Sequence, residues 1–265
     1  TAIYSVDRNG KTKKLSKEVG TNNATFSTSM KYFMNVYSSA QQPPVTTLCA
    51  ANDGKVLKTM VDNSELKSAV AAISGKKEFF AFTTSEGVKL NGWMVKPRDF
   101  DAQKKYPVIM YQYSGPGSQE VTDSWNMGFY PGTVFESYMA AQGFVFVCVD
   151  GRGTGARGAD FEKCTYLKLG ELESKDQVEA AIYLGSLPYI DKNRIAIWGW
   201  SFGGFNTLMS MSEGRNVFCA GVAVAAPTNW KYYDTVYTER YMRTPAENAA
   251  GYATNPIQRA NALHG

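Results

Sequence analysis

Histidine is almost absent from this sequence: His264 is the only one in 265 residues, one position before the last. Chemistry that pairs a histidine base with a nucleophile therefore has one candidate here. Cysteine is scarce as well. Cys49, Cys148, Cys164 and Cys219 stand singly, without the CxxC spacing of a zinc site or a redox pair, so neither a metal nor another cofactor is expected. Cys148 and Cys219 read as small core residues, and the spacings argue for no disulfide. No run reaches the ~18 apolar residues of a membrane span. The start at Thr1 has neither an initiator methionine nor a signal-peptide pattern, which reads as an internal cut or a processed end. A charge excess is missing too: 28 basic and 24 acidic residues leave a net charge of +4. The basic residues are dispersed, so nucleic acid is not an expected partner.

What is present suffices for a large core, since 44% of the residues are hydrophobic. Residues 1 to about 62 turn and alternate like β-structure. Asn9-Gly10 after Ala2 to Val6 signals a hairpin, Lys31 to Tyr37 and Val45 to Ala50 flank Pro43-Pro44, and Asn52-Asp53-Gly54 leads to Lys55 to Met60. Short strands at this interval suggest a propeller blade, which needs neighbouring blades to bury its faces. Asp62-Asn63-Ser64 then caps a short helix from Glu65 to Ile73, ending at Gly75 and serving as a linker.

The pattern changes after residue 75. Glu78 to Thr83 and Leu90 to Val95 form a hairpin. Val108 to Tyr111, Phe144 to Val149, Arg194 to Trp198 and Ala220 to Ala225 are apolar strands, with helices at about 133 to 142 and 174 to 187 between them. Strands alternating with helices imply an α/β fold on a mainly parallel sheet. The expected organisation is residues 1–74 as a small β-domain with its linker helix and 75–265 as the α/β domain.

Within that domain, Gly199-Trp200-Ser201-Phe202-Gly203 follows an apolar strand and precedes the helix-like Phe205 to Met209. A strand, a pinched turn with serine at its apex and a helix form the nucleophile elbow of an α/β hydrolase. Gly199 and Gly203 let the two elements approach, and the amide of Phe202 is placed to hold a developing oxyanion. Tyr113 ends a buried strand at the same sheet edge; its phenol suits an oxyanion donor, or else packs over the Gly115-Pro116 turn. Trp230, Tyr233 and Tyr237 recur at i, i+3 and i+7 on one helical face, lining a slot for a flat apolar side chain or burying that face in the core.

Two other constellations carry less. Gly151-x-Gly153-x-x-Ala156 after a strand resembles a dinucleotide fingerprint, but Arg157-Gly158 interrupts the helix that should bind pyrophosphate, so a structural loop is expected. His264 lies only 63 residues beyond Ser201, with one clear strand between them. It reads as a surface residue rather than the base, and Asp234, the only aspartate after Ser201, sits inside the aromatic segment.

These residues together resemble the prolyl oligopeptidase family of serine peptidases, in its dipeptidyl peptidase IV branch. The matching stretches are Gly199 to Gly204, Asp150-Gly151-Arg152-Gly153, Lys175 to Ala181 and, most specifically, Tyr232 to Met242; the likeness runs from about residue 1 to the end. The resemblance implies that Ser201 is the nucleophile, that the Phe202 amide and the Tyr113 hydroxyl form the oxyanion hole, and that Trp230, Tyr233 and Tyr237 wall a pocket for a penultimate proline or alanine. Thr228 and Ala226-Pro227 would lie beside that pocket. Phe202 stands where the family usually has tyrosine, a change expected to affect substrate preference only.

The resemblance also implies an eight-bladed propeller before the hydrolase domain, with about its last blade in residues 1–74, and a triad acid and histidine beyond residue 265. The chain alone is then expected to be nearly inactive and poorly stable. A peptide with a free amino terminus is the implied substrate, a homodimer the implied full-length assembly, and the periplasm, cell surface or exterior the implied location. A non-catalytic hydrolase-fold binding or assembly module, or a carboxylesterase using His264, are the alternative readings.

Overall fold

The apolar runs after residue 75 become strands of one sheet. The computed structural model describes residues 1–73, 75–126 and 132–265. Residue 74, at the expected domain boundary, lies outside them. By their internal contacts the residues fall into two compact units, Thr1–Lys77 with Thr122–Tyr138, and Glu78–Val121 with Met139–Gly265.

In the first unit, β1 (Tyr4–Val6) and β2 (Thr12–Lys14) form the hairpin that Asn9-Gly10 signals, paired antiparallel from Tyr4–Lys14 to Val6–Thr12. A separate four-stranded antiparallel sheet follows, in the order β3 (Thr21–Phe26), β4 (Tyr32–Ser39), β5 (Gln42–Ala50), β6 (Val56–Val61). Pro43 and Pro44 do not separate strands but lie inside β5. They are tolerated there because β6 pairs only from Thr46 onward, so that side of the ladder asks no N–H of them. The small core holds Ile3, Leu15, Phe33 and Cys49. Helix α1 (Ser64–Ala71) is shorter than expected, and Asp62 accepts the N–H and O–H of Ser64 at its start.

The second unit is built on a six-stranded sheet in the order β12-β11-β9-β10-β8-β7, with β7 Lys77–Thr83, β8 Lys89–Val95, β9 Tyr106–Tyr111, β10 Val145–Asp150, β11 Ile190–Trp200 and β12 Ala220–Val224. β9, β10, β11 and β12 run parallel and β8 joins β10 antiparallel. Every residue of β10 is buried, as a central parallel strand covered on both faces requires. Its Val145, Val147 and Val149 join Val108, Met110, Ile195, Ile197, Val178 and Leu184 in one core, while Phe146 faces the other way onto Trp93 with ring centroids 6.0 Å apart.

The helices are α2 (Thr133–Ala141), α3 (Ala159–Lys163), α4 (Glu171–Ser186), α5 (Phe202–Met211), α6 (Thr235–Met242) and α7 (Ala249–Ala253). The five-residue α3 and α7 are too short to leave an apolar period in the sequence. The edge strand β12 is exposed along Ala220 to Val222, and Cys219 just before it is exposed rather than a core residue. Apolar composition there does not report burial because among the described residues β12 pairs on one side only. Among the described residues no helix is long and apolar enough to cross a membrane, and no group of three or more His, Cys, Asp or Glu side chains is placed to hold a metal ion.

Helix α4 buries three carboxylates. Arg152 pairs with Asp176, and Arg215 together with the Ser85 N–H serves Glu179. Glu173 is the exception, fully buried with one oxygen accepting the Gly170 N–H and the other lacking a partner among the described residues. Burial pushes its carboxyl up to about 8. The folded chain thus keeps a proton that the unfolded chain releases near pH 4.5, so this group's contribution to stability is fullest at low pH and falls as pH rises from about 4.5 to 8. Glu173→Gln, which keeps an acceptor for Gly170, is expected to gain thermal stability relative to wild type between pH 5 and pH 8. A difference in melting temperature that stays constant over that range would contradict the buried, protonated carboxyl.

Candidate active site

Strand β11 ends at Trp200, the Ser201 N–H donates to the carbonyl of Val224 at 2.9 Å, and α5 begins at once with Phe202. Ser201 is forced to φ 57°, ψ −117°, a backbone state that a residue with a Cβ occupies only under strain. The neighbouring glycines explain how the turn fits. A Cβ on Gly199 would stand 2.5 Å from the Gln112 carbonyl oxygen, and one on Gly203 2.4 Å from it. The strand, the serine and the helix of the expected elbow are thus all present, with Ser201 half-buried at the carboxyl end of the parallel strands.

Tyr113 arrives at the same place from the end of β9. It is half-buried, and burial pushes its phenol above the ordinary range against a hydrogen bond with the Ser201 side chain that lowers it. The group is therefore a protonated O–H donor at neutral pH, beside the serine. Phe202 is the first helical residue, whose N–H has no partner within the helix. The loop after Tyr113 is pinned by Asp150, which accepts the N–H groups of Glu120 at 3.1 Å and Val121 at 2.8 Å. Burial raises that carboxyl to about 6.

The aromatic residues converge, though not as one helical face. Trp230 lies in a 3-10 turn, Trp230–Tyr232, in which the Lys231 N–H donates to Asn229 Oδ1 at 2.9 Å. The backbone is extended at Tyr233 and Asp234, and α6 starts only at Thr235. Asp234 breaks the helix because its carboxylate caps α6 through the Tyr237 N–H at 2.8 Å, a role that also occupies the only aspartate after Ser201. Even so, Trp230 stacks on Tyr237 at 5.7 Å and 24°, and Tyr233 stands edge-on to both at 5.7 and 5.6 Å. Trp230 packs in turn on Phe202 at 5.5 Å and Phe205 at 4.9 Å, and Phe202 lies 6.3 Å from Tyr113. Phe202, Phe205 and Trp230 are buried, whereas Tyr237 is half-buried and Tyr233 is 42% exposed. The result is an apolar floor with tyrosines at its rim. Thr228 is exposed in the loop between β12 and Trp230.

His264 is not brought to this site. A Cβ on the adjacent Gly265 would stand within 3.7 Å of Ala220, at the start of β12, whereas Ser201 bonds to Val224 at its other end. Four residues of strand rise separate the two positions by about 13 Å. Neither ring nitrogen of His264 has a hydrogen-bond partner among the described residues. The glycine-rich loop after β10 behaves as structure: its amides at Arg152, Gly153 and Gly155 donate to Asp176, Phe161 and Ser118, which leaves these three unavailable to a pyrophosphate.

Residues that the sequence reading passed over hold the elbow in place. Gln177 is fully buried within a polar run of α4 and leaves no such sign in the sequence, whereas Gln112 and Asn206 are fully buried polar side chains beside apolar ones. That contrast is the signal by which these two are detectable, because a buried amide persists only where it is hydrogen-bonded.

Comparison with known proteins agrees with this architecture. A family model described as the prolyl oligopeptidase family matches residues 134–264. The probable dipeptidyl-aminopeptidase B of Grosmannia clavigera is 50% identical over 184 residues, which cover 67% of this chain and 18% of that protein. The protein of the same name from Podospora anserina is 38% identical over 267 residues, covering 98% of this chain and 28% of that protein. The crystal structure of Porphyromonas gingivalis dipeptidyl peptidase 4 superposes with a TM-score of 0.94 at 48% identity, over 100% of this chain and 37% of that one. The chain thus spans less than two fifths of the length of each of these relatives. With the hydrolase elbow, the sheet that carries it and these likenesses in agreement, the chain belongs to the prolyl oligopeptidase family of serine peptidases.

Proposed function

We propose that the full-length gene product is a serine exopeptidase that removes dipeptides from free amino termini, after a penultimate proline or alanine. The observation that carries this reading is the meeting, at one sheet edge, of a strained serine, a protonated tyrosine beside it and an apolar ring cage. Ser201 Oγ attacks the carbonyl carbon of the second residue and passes its proton to a base. The oxyanion is held by the Phe202 N–H and the Tyr113 O–H, the amine of the shortened peptide leaves, and water then hydrolyses the acyl-enzyme. Trp230, Tyr233 and Tyr237 receive the side chain of the penultimate residue, because flat or small apolar groups fill a cage of rings and long or charged ones do not. Thr228 flanks that cage.

The rest of the proposal follows the family likeness. Residues 1–74 contribute the last blade or so of a propeller with its linker helix, and 75–265 the hydrolase domain. The triad acid and base are supplied from outside this chain, which by itself is nearly inactive. The full-length protein is a homodimer that acts in the periplasm, on the cell surface or in the medium. The test is direct: full-length protein is expected to release p-nitroaniline from Ala-Pro and Gly-Pro p-nitroanilides and to ignore their N-acetylated forms. Intact substrate in all four reactions, or equal rates with and without the acetyl group, would overturn the assignment.

A further inference from the structure

Tyr113 and Ser201 sit on different elements, and besides the hydrogen bond between their own side chains those elements are joined through the Gln112 side chain. Gln112 is fully buried and directly precedes Tyr113. Its main-chain N–H donates to the carbonyl of Trp198 at 3.2 Å, which extends the β9–β11 pairing one residue past the strand. Its carbonyl oxygen fills the space left by the missing side chains of Gly199 and Gly203. Its side-chain Nε2 donates to the carbonyl of Gly203 at 2.7 Å and to Thr207 Oγ1 at 3.1 Å, gripping the first two turns of α5. Its Oε1 accepts from Ser114 Oγ at 2.9 Å and Asn206 Nδ2 at 3.2 Å.

Ser114, on the other side of Tyr113, is itself tied down. It sits at φ 64°, and Gln177 Nε2 donates to its hydroxyl at 3.3 Å and to the Val149 carbonyl at 2.9 Å. Both neighbours of Tyr113 are therefore fixed by buried amides. One of those amides is bonded to the helix whose first residues form the elbow.

We infer that Gln112 is a positioning residue that sets the separation between the Tyr113 hydroxyl and the Ser201–Phe202 elbow, an inference that rests on the proposed acyl-transfer function. A single apolar side chain of the same length would fill the space but hold neither partner. Oxyanion donors act only within a few tenths of an ångström of their best distance, so freeing this link lets the donor and the nucleophile drift without emptying the ring cage. A misplacement of about 1 Å costs on the order of 10²-fold in rate.

The experiment uses the full-length protein and Ala-Pro p-nitroanilide. Gln112→Met is expected to lower kcat by about 10- to 100-fold while KM stays within about 3-fold. In a Tyr113→Phe background, which has already lost the hydroxyl, the same substitution is expected to add less than about 3-fold. A purely structural role would give effects that multiply. If Gln112→Met does not fold, Thr207→Val removes one partner at constant shape and is expected to show a smaller loss with the same non-additivity. Independent, multiplying effects, or a kcat within 3-fold of wild type in the folded variant, overturn the inference alone. Activity that survives Ser201→Ala overturns the proposed function and the inference with it.

Discussion

Ser201→Ala in the full-length protein is expected to abolish labelling by a fluorophosphonate probe and to lower dipeptide release by about 10⁴- to 10⁶-fold, with the fold intact. The size of the loss follows from what the hydroxyl does. It is the only proposed nucleophile, and an alanine at the elbow leaves water without an acyl-enzyme route. The fold survives because alanine also has a Cβ: the strain at φ 57° is unchanged, and the Ser201 N–H still bonds to Val224. Ser201→Gly separates the two properties. Glycine adopts this backbone state without penalty, so that variant is expected to be as inactive as Ser201→Ala yet more stable by about 1 kcal/mol, the lower end of what one strained residue stores. The 265-residue chain alone is expected to label slowly, since its only histidine directly precedes Gly265, which packs at the far end of β12. Rapid labelling of that chain, or dipeptide release unchanged in Ser201→Ala, would remove Ser201 from the centre of the reaction.

The elbow was legible in the sequence because its parts obey local rules. An apolar strand, two glycines around a serine and a helical period each leave a mark within a dozen residues, and the parallel order of β9, β10 and β11 follows from strands alternating with helices. The ring cage was legible only in composition. The period of Trp230, Tyr233 and Tyr237 suggested one helical face, but an Asp at a helix start is a stronger local signal than a period of three rings. Asp234 caps α6 and leaves Trp230 in a separate turn. The rings still meet, because Trp230 is fixed by Phe202 and Phe205 rather than by its helix. What stayed hidden is non-local. Nothing near Gln112 tells that its amide bonds to residues 91 and 95 positions away, and nothing near Cys219 tells that β12 has, among the described residues, a neighbour on one side only.

Arg152→Met carries the largest stability change expected outside the reacting centre, about 3–5 kcal/mol of destabilisation. Asp176 is fully buried in α4, and Arg152 meets it with a two-pronged guanidinium, Nη2 at 2.7 Å from Oδ1 and Nε at 3.0 Å from Oδ2, while the Arg152 main-chain N–H adds a bond of 2.7 Å to Oδ2. Glu86 takes a further bond from Nη2 at 2.8 Å at the exposed side. Removing the guanidinium leaves a carboxylate out of water with one main-chain donor, and that uncompensated charge is the source of the cost. Glu86, being exposed, contributes far less, so Glu86→Gln is expected to change stability by under about 1 kcal/mol. A charge origin has a distinct signature: adding Asp176→Asn to Arg152→Met should recover most of the loss, because a neutral amide still accepts the Arg152 N–H. Chemical denaturation of the four proteins in parallel measures this, and a double variant no more stable than Arg152→Met would assign the loss to packing of the arginine stem instead. The pair also anchors the loop after β10, whose Gly153 carbonyl accepts the N–H of Gly117 in the loop that follows Tyr113. If that loop loosens before the domain unfolds, Arg152→Met should lower kcat at temperatures well below its melting transition.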